Sequence, residues 1–284
     1  MFAAVEAGGT KFRAAVFSDE TTVIDQEWIP TTTPDETLGA CIDFFEKHGD
    51  IEALGIASFG PLVVDRTSPQ FGSIAKTPKP GWNGAPLLQR LQSSLGVPAD
   101  IQTDVEAAAV SEWRHGKGQG FSRVGYVTVG TGIGAALAID GVPFRGRAHT
   151  EMGHVPVKRH PDDAYAGNCP FHGDCLEGMA SGPAIGERWD ADPKTLLGRD
   201  DVWDLEAFYL AQLVRVYALT FAPDIVLFGG GVGTLPHLDD RIRKAVEIDL
   251  ADYAVDGPPE VMTAGLGEDA GLIGAAVVAA ALVA

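Results

Sequence analysis

The stretch F-A-A-V-E-A-G-G-T-K-F-R-A-A-V-F, residues 2–17, reads as an apolar run, a small-residue turn and a second apolar run. Phe2 to Val5 and Phe12 to Phe17 predict two strands. Gly8-Gly9-Thr10 predicts the tight turn between them, because glycine adopts positive φ freely and lets a ligand approach the backbone. The same plan returns over residues 125–139, where Tyr126-Val-Thr-Val leads to Gly130-Thr-Gly-Ile-Gly134 and then to Ala135–Ile139. Two such hairpins, far apart in one chain, predict duplicated lobes facing one another across a ligand; two ordinary glycine hairpins are the plainer alternative.

Between the hairpins, Leu38, Cys41, Ile42 and Phe45 recur at helical spacing from Thr37 to Lys47, and Ile51–Ala57 is a short apolar strand. Asp65–Asn83 is rich in Pro, Gly, Ser and Thr and predicts an ordered loop over a cleft. A helix with Pro86 in its first turn and Leu87, Leu88, Leu91 and Leu95 on its buried face should follow, then a strand over Ala99–Thr103 and a helix over Val105–His115. Further on, Gly178–Trp189 and Leu205–Phe221 read as helices, the second with Phe208, Leu210, Leu213, Val214, Tyr217 and Leu219 mostly on one face. Asp224–Phe228 reads as a buried strand running into Gly229-Gly-Gly-Val-Gly233. This alternation predicts an α/β protein with a first lobe over residues 1–110, a second over 111–269, and a terminal Gly/Ala/Val helix (270–284) packed back on the first.

Composition narrows the function. The 284 residues are 45% hydrophobic and 21% charged, enough for a sizeable core. Lys and Arg total 21 against 39 Asp and Glu, and the net charge of −18 with a pI near 4.6 argues against nucleic acid or an anionic membrane as partner. Three cysteines give no disulfide framework, and the N-terminus shows neither a basic region nor a long apolar run, so a reducing cytoplasm is the expected compartment. Cys41 reads as core.

The other two cysteines form C-x-x-H-x-x-C with His172 (Cys169, His172, Cys175), and His154 lies upstream as a fourth ligand, the two-sulfur, two-nitrogen set that zinc favours. Two buried cysteines beside a surface histidine are the bland alternative. Four protein ligands leave no open position for an activated water, so such a Zn²⁺ is structural. E-M-G-H (Glu151–His154) and C-L-E-G (Cys175–Gly178) flank this cluster, and together with E-A-G-G-T-K-F (Glu6–Phe12) they resemble the ROK family of sugar kinases, most closely its fructokinase branch. The order of motifs is matched from Glu6 to the C-terminal helix.

The resemblance implies an actin-like ATPase (ribonuclease H-like) fold, two lobes around a nucleotide and sugar cleft, and ATP-dependent phosphorylation of D-fructose to fructose 6-phosphate. Mannose or glucose is the alternative substrate. A sugar-responsive regulator without catalysis is the alternative of another class; such regulators carry an N-terminal DNA-binding domain, whereas this chain opens directly on the first strand. Phosphoryl transfer needs a phosphate cradle, a divalent cation and an aligned base. Gly8, Gly9, Thr10 and Lys11 offer amides, a hydroxyl and a cation at one tip, and Gly130, Thr131, Gly132 and Gly134 offer a second set. No Walker A motif is present. The resemblance puts phosphate on these two tips and adenosine near Gly229, Gly230 and Gly231.

Asp104, at the strand-to-helix junction, is the candidate base, with an ordinary helix N-cap as its other reading. The resemblance implies that Glu6 and Asp104 are the Mg²⁺-associated carboxylates. Glu151, His154 and Glu177 suit a sugar, because carboxylates and imidazole bond vicinal hydroxyls and orient one toward the base. Trp82 either walls the sugar pocket or anchors its loop to the core. Two departures stand out: Glu106 occupies a place where family members often carry Asn, and Glu6 one where many carry Asp. A cytoplasmic homodimer binding sugar and ATP is expected.

Overall fold

A computed structural model describes residues 1–284 except Pro78 and Asp252; Pro78, part of the expected loop over 65–83, lies outside the described residues. The chain divides into two compact units. One comprises Met1–Ser111, Phe144–His149 and Asp269–Ala284, the other Glu112–Pro143 and Thr150–Glu268.

The first unit is a five-stranded sheet. Strands β1 (Phe2–Ala7) and β2 (Lys11–Phe17) form the first hairpin, β3 (Val23–Pro30) pairs antiparallel outside it, and helix α1 (Pro34–Phe45) leads to β4 (Ala53–Ser58). Helix α2 (Leu87–Leu95) leads to β5 (Ala99–Thr103), giving the order β3-β2-β1-β4-β5, and α3 (Asp104–His115) follows without a break. Strands β1, β4 and β5 are parallel and finish in register, Ala7 beside Ser58 and Ser58 beside Thr103. Whatever follows these strands therefore gathers at one edge of the sheet, where open α/β sheets place their ligands.

Helix α1 begins three residues before its apolar repeat. Thr33 accepts from the Glu36 amide while the Glu36 carboxylate accepts from the Thr33 amide, a capping box that satisfies first-turn donors. Strand β3 had no counterpart in the sequence pattern. As an edge strand it buries only Ile29, so the alternation that marks a half-buried strand is missing.

The second unit repeats the plan. Strands β6 (Arg123–Val129) and β7 (Ile133–Ile139) form the second hairpin, and β8 (Val142–Pro143) extends it. After the Cys/His segment come α4 (Leu176–Ala180), α5 (Gly182–Trp189), α6 (Asp200–Thr220), β9 (Ile225–Gly229), α7 (Gly230–Gly233), α8 (Leu238–Leu250) and β10 (Glu260–Thr263). The sheet order is β10-β9-β6-β7-β8, with β6, β9 and β10 parallel. The single helix expected over 178–189 is broken at Ser181. That residue is extended (φ −72°, ψ 160°) and its hydroxyl caps α5 through the Ala184 amide, so it cannot continue α4. Helix α6 buries Leu210, Leu213, Val214 and Tyr217; Leu219, expected with them, is exposed because two residues beyond Tyr217 is roughly the opposite side of a 3.6-residue turn.

The last helix, α9 (Ala270–Ala280), packs on β1 and β4 of the first unit. Its small residues are needed for that approach. A Cβ on Gly274 would strike the Ala107 carbonyl, and one on Gly55 of β4 would strike the Ala275 carbonyl. Among the described residues no helix is long and apolar enough to cross a membrane.

Candidate active site

In the first unit the ends of β1 and β5 bring Glu6, the Gly8–Lys11 tip and Asp104 to the same sheet edge. The Gly8 amide donates to the Lys11 carbonyl at 3.0 Å and closes the turn. Thr31 holds the tip from the β3 side, its hydroxyl donating to the Gly8 carbonyl at 2.8 Å and its amide to the Thr10 carbonyl at 2.9 Å. Gly9, Thr10 and Lys11 stay exposed. The Lys79 ammonium donates to the Gly9 carbonyl, and the Lys11 ammonium lies 3.7 Å from the centre of the Trp28 ring, a cation–π contact at the tip.

Asp104 is the first residue of α3, and the capping role that competed for it belongs to its neighbour. The Thr103 hydroxyl accepts from the Glu106 amide at 3.3 Å, and the Glu106 carboxylate accepts from the Thr103 amide at 2.9 Å. Asp104 accepts the adjacent Val105 amide, at 2.9 Å. Burial raises its carboxyl to about 6, against the opposing pull of the Val105 hydrogen bond and of nearby His149. Glu6, opposite Arg13 in the β1–β2 register, is raised to about 7 by burial, with Arg13 lowering it and the Asp104 and Asp269 charges raising it. The Asp104 charge thus reaches Glu6 along this edge of the first sheet.

Glu106, which stands where relatives often carry Asn, has a structural task. It is 2% exposed and takes a two-pronged ion pair from Arg145, Nε and Nη2 each donating at 2.8 Å. Trp82, a candidate sugar wall, is corrected: its ring is fully buried against Phe12 (5.3 Å between centroids) and Phe59 (5.7 Å), with Nε1 donating to the Thr32 carbonyl at 2.8 Å. It anchors the loop to the core and presents no face to a ligand.

In the second unit, β6 and β9 end side by side, Thr128 beside Gly229, so Gly229, Gly230 and Gly231 enter α7 next to the Gly130–Gly134 tip. His154, Cys169, His172 and Cys175 converge. Nδ1 of His154 lies 3.7 Å from Cys169 Sγ and 3.5 Å from Cys175 Sγ, Nδ1 of His172 lies 3.8 Å from Cys169 Sγ, and the four ligand atoms fall within 4.8 Å of one another. Zinc–sulfur and zinc–nitrogen bonds of about 2.3 and 2.0 Å in a tetrahedron give sulfur–nitrogen edges of roughly 3.5 Å, so the set fits zinc. Glu177 sits beside it, Oε1 3.9 Å from His154 Nε2, both side chains part-exposed. Glu151 is exposed at the head of the one-turn helix Met152–His154.

Four residues at these edges carried no sequence signal of their own. Arg13 and Asp269 form a 2.5 Å ion pair beside Glu6, Lys79 meets the Gly9 carbonyl, and His149 Nε2 accepts from the Leu62 amide at 3.0 Å near Asp104. His149 opens the same run as E-M-G-H, but nothing in that run separates it from its neighbours.

Two units, each a mixed sheet whose parallel strands deliver a glycine hairpin tip to one edge, define an actin-like ATPase fold. The sequence model of the ROK family matches residues 2–281, and the chain belongs to that family. Its relatives include the fructokinase of Zymomonas mobilis, 40% identical over 97% of this chain and 95% of that protein, and the fructokinase of Pediococcus pentosaceus, 39% identical over 99% and 98%. Among solved structures, the ROK hexokinase of Thermus thermophilus superposes with a TM-score of 0.83 at 27% identity, covering 99% of this chain and 98% of the other.

Proposed function

We propose that the protein is an ATP-dependent sugar kinase that phosphorylates D-fructose to fructose 6-phosphate. The observation that carries the chemistry is Asp104: a carboxylate at the end of β5, relieved of capping duty by Thr103 and raised to about 6 by burial, close to the working range of a general base. Kinship with fructokinases near 40% identity supports fructose over glucose or mannose.

Asp104 accepts the proton of the sugar's primary hydroxyl as that oxygen attacks the γ-phosphorus in line. The new P–O bond forms as the bond to the β-phosphate oxygen breaks, and ADP leaves. The Gly8–Lys11 and Gly130–Gly134 tips, with Thr10, Lys11 and Thr131, take the phosphates, and Gly229–Gly231 takes adenosine. Glu151, His154 and Glu177 bond the sugar hydroxyls. Glu6 and Asp104 would hold Mg²⁺, which would supply charge neutralisation at the phosphates. His154, Cys169, His172 and Cys175 would hold a structural Zn²⁺ that orders the sugar loop.

The protein works in the cytoplasm as a homodimer, a setting that keeps Cys169 and Cys175 reduced for metal. The deciding experiment is a coupled kinase assay across fructose, glucose, mannose and N-acetylated hexoses. The highest kcat/KM on fructose is expected; a tenfold preference for another hexose overturns the substrate, and no turnover on any overturns the reading.

A further inference from the structure

We propose that Glu177 and Gly153, carried on the two flanks of the Cys/His cluster, hold the β6–β7 tip in shape, so that the metal loop governs nucleotide affinity as well as the sugar. The proposal rests on the reading that this tip binds phosphate. Glu177 follows Cys175 by two residues and Gly153 precedes His154 by one, and both flanks close on the same residue of the hairpin, Ile133, the first of β7.

The carboxylate of Glu177 faces two ways. Oε2 accepts from the Ile133 amide at 3.0 Å, and Oε1 looks toward His154 Nε2 at 3.9 Å. The tip is moulded to that oxygen, since a Cβ on Gly132 would stand 2.7 Å from Oε2. On the other flank a Cβ on Gly153 would collide with the Ile133 carbonyl oxygen, so the residue beside a metal ligand lies backbone against backbone on the hairpin. The segment just past Glu177 closes the far side, with the Gly182 amide donating to the Gly130 carbonyl at 2.8 Å. The tip's own bond is a single tight turn, Gly130 amide to Gly132 carbonyl at 2.9 Å.

A phosphate cradle made of amides works only if those amides point in fixed directions before the ligand arrives. Here their directions are set from outside the hairpin, by residues one and two positions from the cluster's His154 and Cys175. Residues 155–168 contain no helix or strand; side-chain bonds tie their middle to α5 and α6, Gln212 bonding both backbone groups of Lys158 and Tyr209 and Arg188 holding Asp163, while at the cluster itself Phe171 is 74% exposed and His172 is exposed. Cross-linking His154, Cys169, His172 and Cys175 through one metal fixes both flanks at once. Glu177 is thus a positioning residue for the nucleotide side, a task separate from any bond it makes to sugar.

The test is calorimetric binding of Mg²⁺–AMPPNP to the full chain with no sugar present, so that a sugar-only role for Glu177 cannot register. Zinc content is measured on every sample. Glu177→Ala is expected to weaken AMPPNP about tenfold with zinc retained, the scale of one well-made hydrogen bond. Glu177→Gln, whose amide oxygen still accepts from Ile133, stays within about threefold of wild type while its fructose KM rises. Stripping zinc from wild type with a chelator weakens AMPPNP by a similar factor, and zinc addition restores it, which keeps the test alive if Glu177→Ala fails to fold. Unchanged AMPPNP affinity in zinc-replete Glu177→Ala, or in stripped wild type, overturns the proposal alone. Wild type that binds no AMPPNP sinks the phosphate reading and the proposal with it.

Discussion

Glu106→Ala is the substitution for which the structure sets the size of effect most closely. It removes the acceptor of the Thr103 amide, a capping contribution of about 1 kcal/mol, and strands the Arg145 guanidinium, whose side chain is 18% exposed. Breaking a buried pair by removing one partner costs roughly 3–5 kcal/mol. The two losses share one carboxylate and do not add, so about 3–5 kcal/mol is the expected total. Urea denaturation measures it, alongside Arg145→Met and the double variant. Arg145→Met leaves Glu106 bonded to Thr103, and the cycle should show at least about 1 kcal/mol of coupling between the pair. Because the capping box sets the turn that begins at Asp104, kcat of the folded Glu106→Ala protein should also fall by roughly 10- to 100-fold. A stability loss under about 1 kcal/mol, or strictly additive single effects, would refute the assignment of Glu106 as a structural carboxylate.

Asp104→Asn keeps the shape of the base but not its proton affinity; turnover should drop by about 10²–10⁴-fold with AMPPNP affinity within a few-fold, and near-normal turnover removes Asp104 from the mechanism. The pH dependence has a definite sign. Asp104, raised from 3.8 to about 6, and Glu6, raised from 4.5 to about 7, must ionise to work, so kcat/KM for fructose should fall as pH drops below about 7. The same raised acids hold protons in the folded protein that the unfolded chain has already lost, so their stabilising contribution is full below the unfolded values and disappears as pH rises through the folded ones. Asp104→Asn should therefore gain stability over wild type more at pH 8 than at pH 5, and an equal difference at both would contradict the burial argument. Cys175→Ser should lose zinc, measured by elemental analysis, and raise the fructose KM; full activity in a zinc-free protein would end the structural-metal reading.

Patterns that repeat along the chain could be read from the sequence. The two hairpins announce themselves because the apolar runs and the glycine tips are contiguous, and Cys169, His172 and Cys175 announce a side-chain cluster because their close spacing brings chelating groups together. The start of α3 was legible as a junction, but not which of two neighbouring polar residues caps it; that depended on side-chain reach, and Thr103 with Glu106 settled it. Trp82 was undecidable by the same measure, since an aromatic residue in a long loop looks alike whether it faces a ligand or the core.

Strand β3 was hidden because an exposed edge strand lacks a burial rhythm. The assignment of Phe144–His149 to the first unit was hidden because it rests on bonds across long separations, Arg145 to Glu106 and His149 to Leu62. Local spacing determines elements and the Cys169–His172–Cys175 part of the cluster, whose members lie within a few residues. The environments that raise Glu6 and Asp104, and the carboxylate of Glu177 on a hairpin 44 residues upstream, exist only once the chain has folded, because burial and distance are properties of the packed structure.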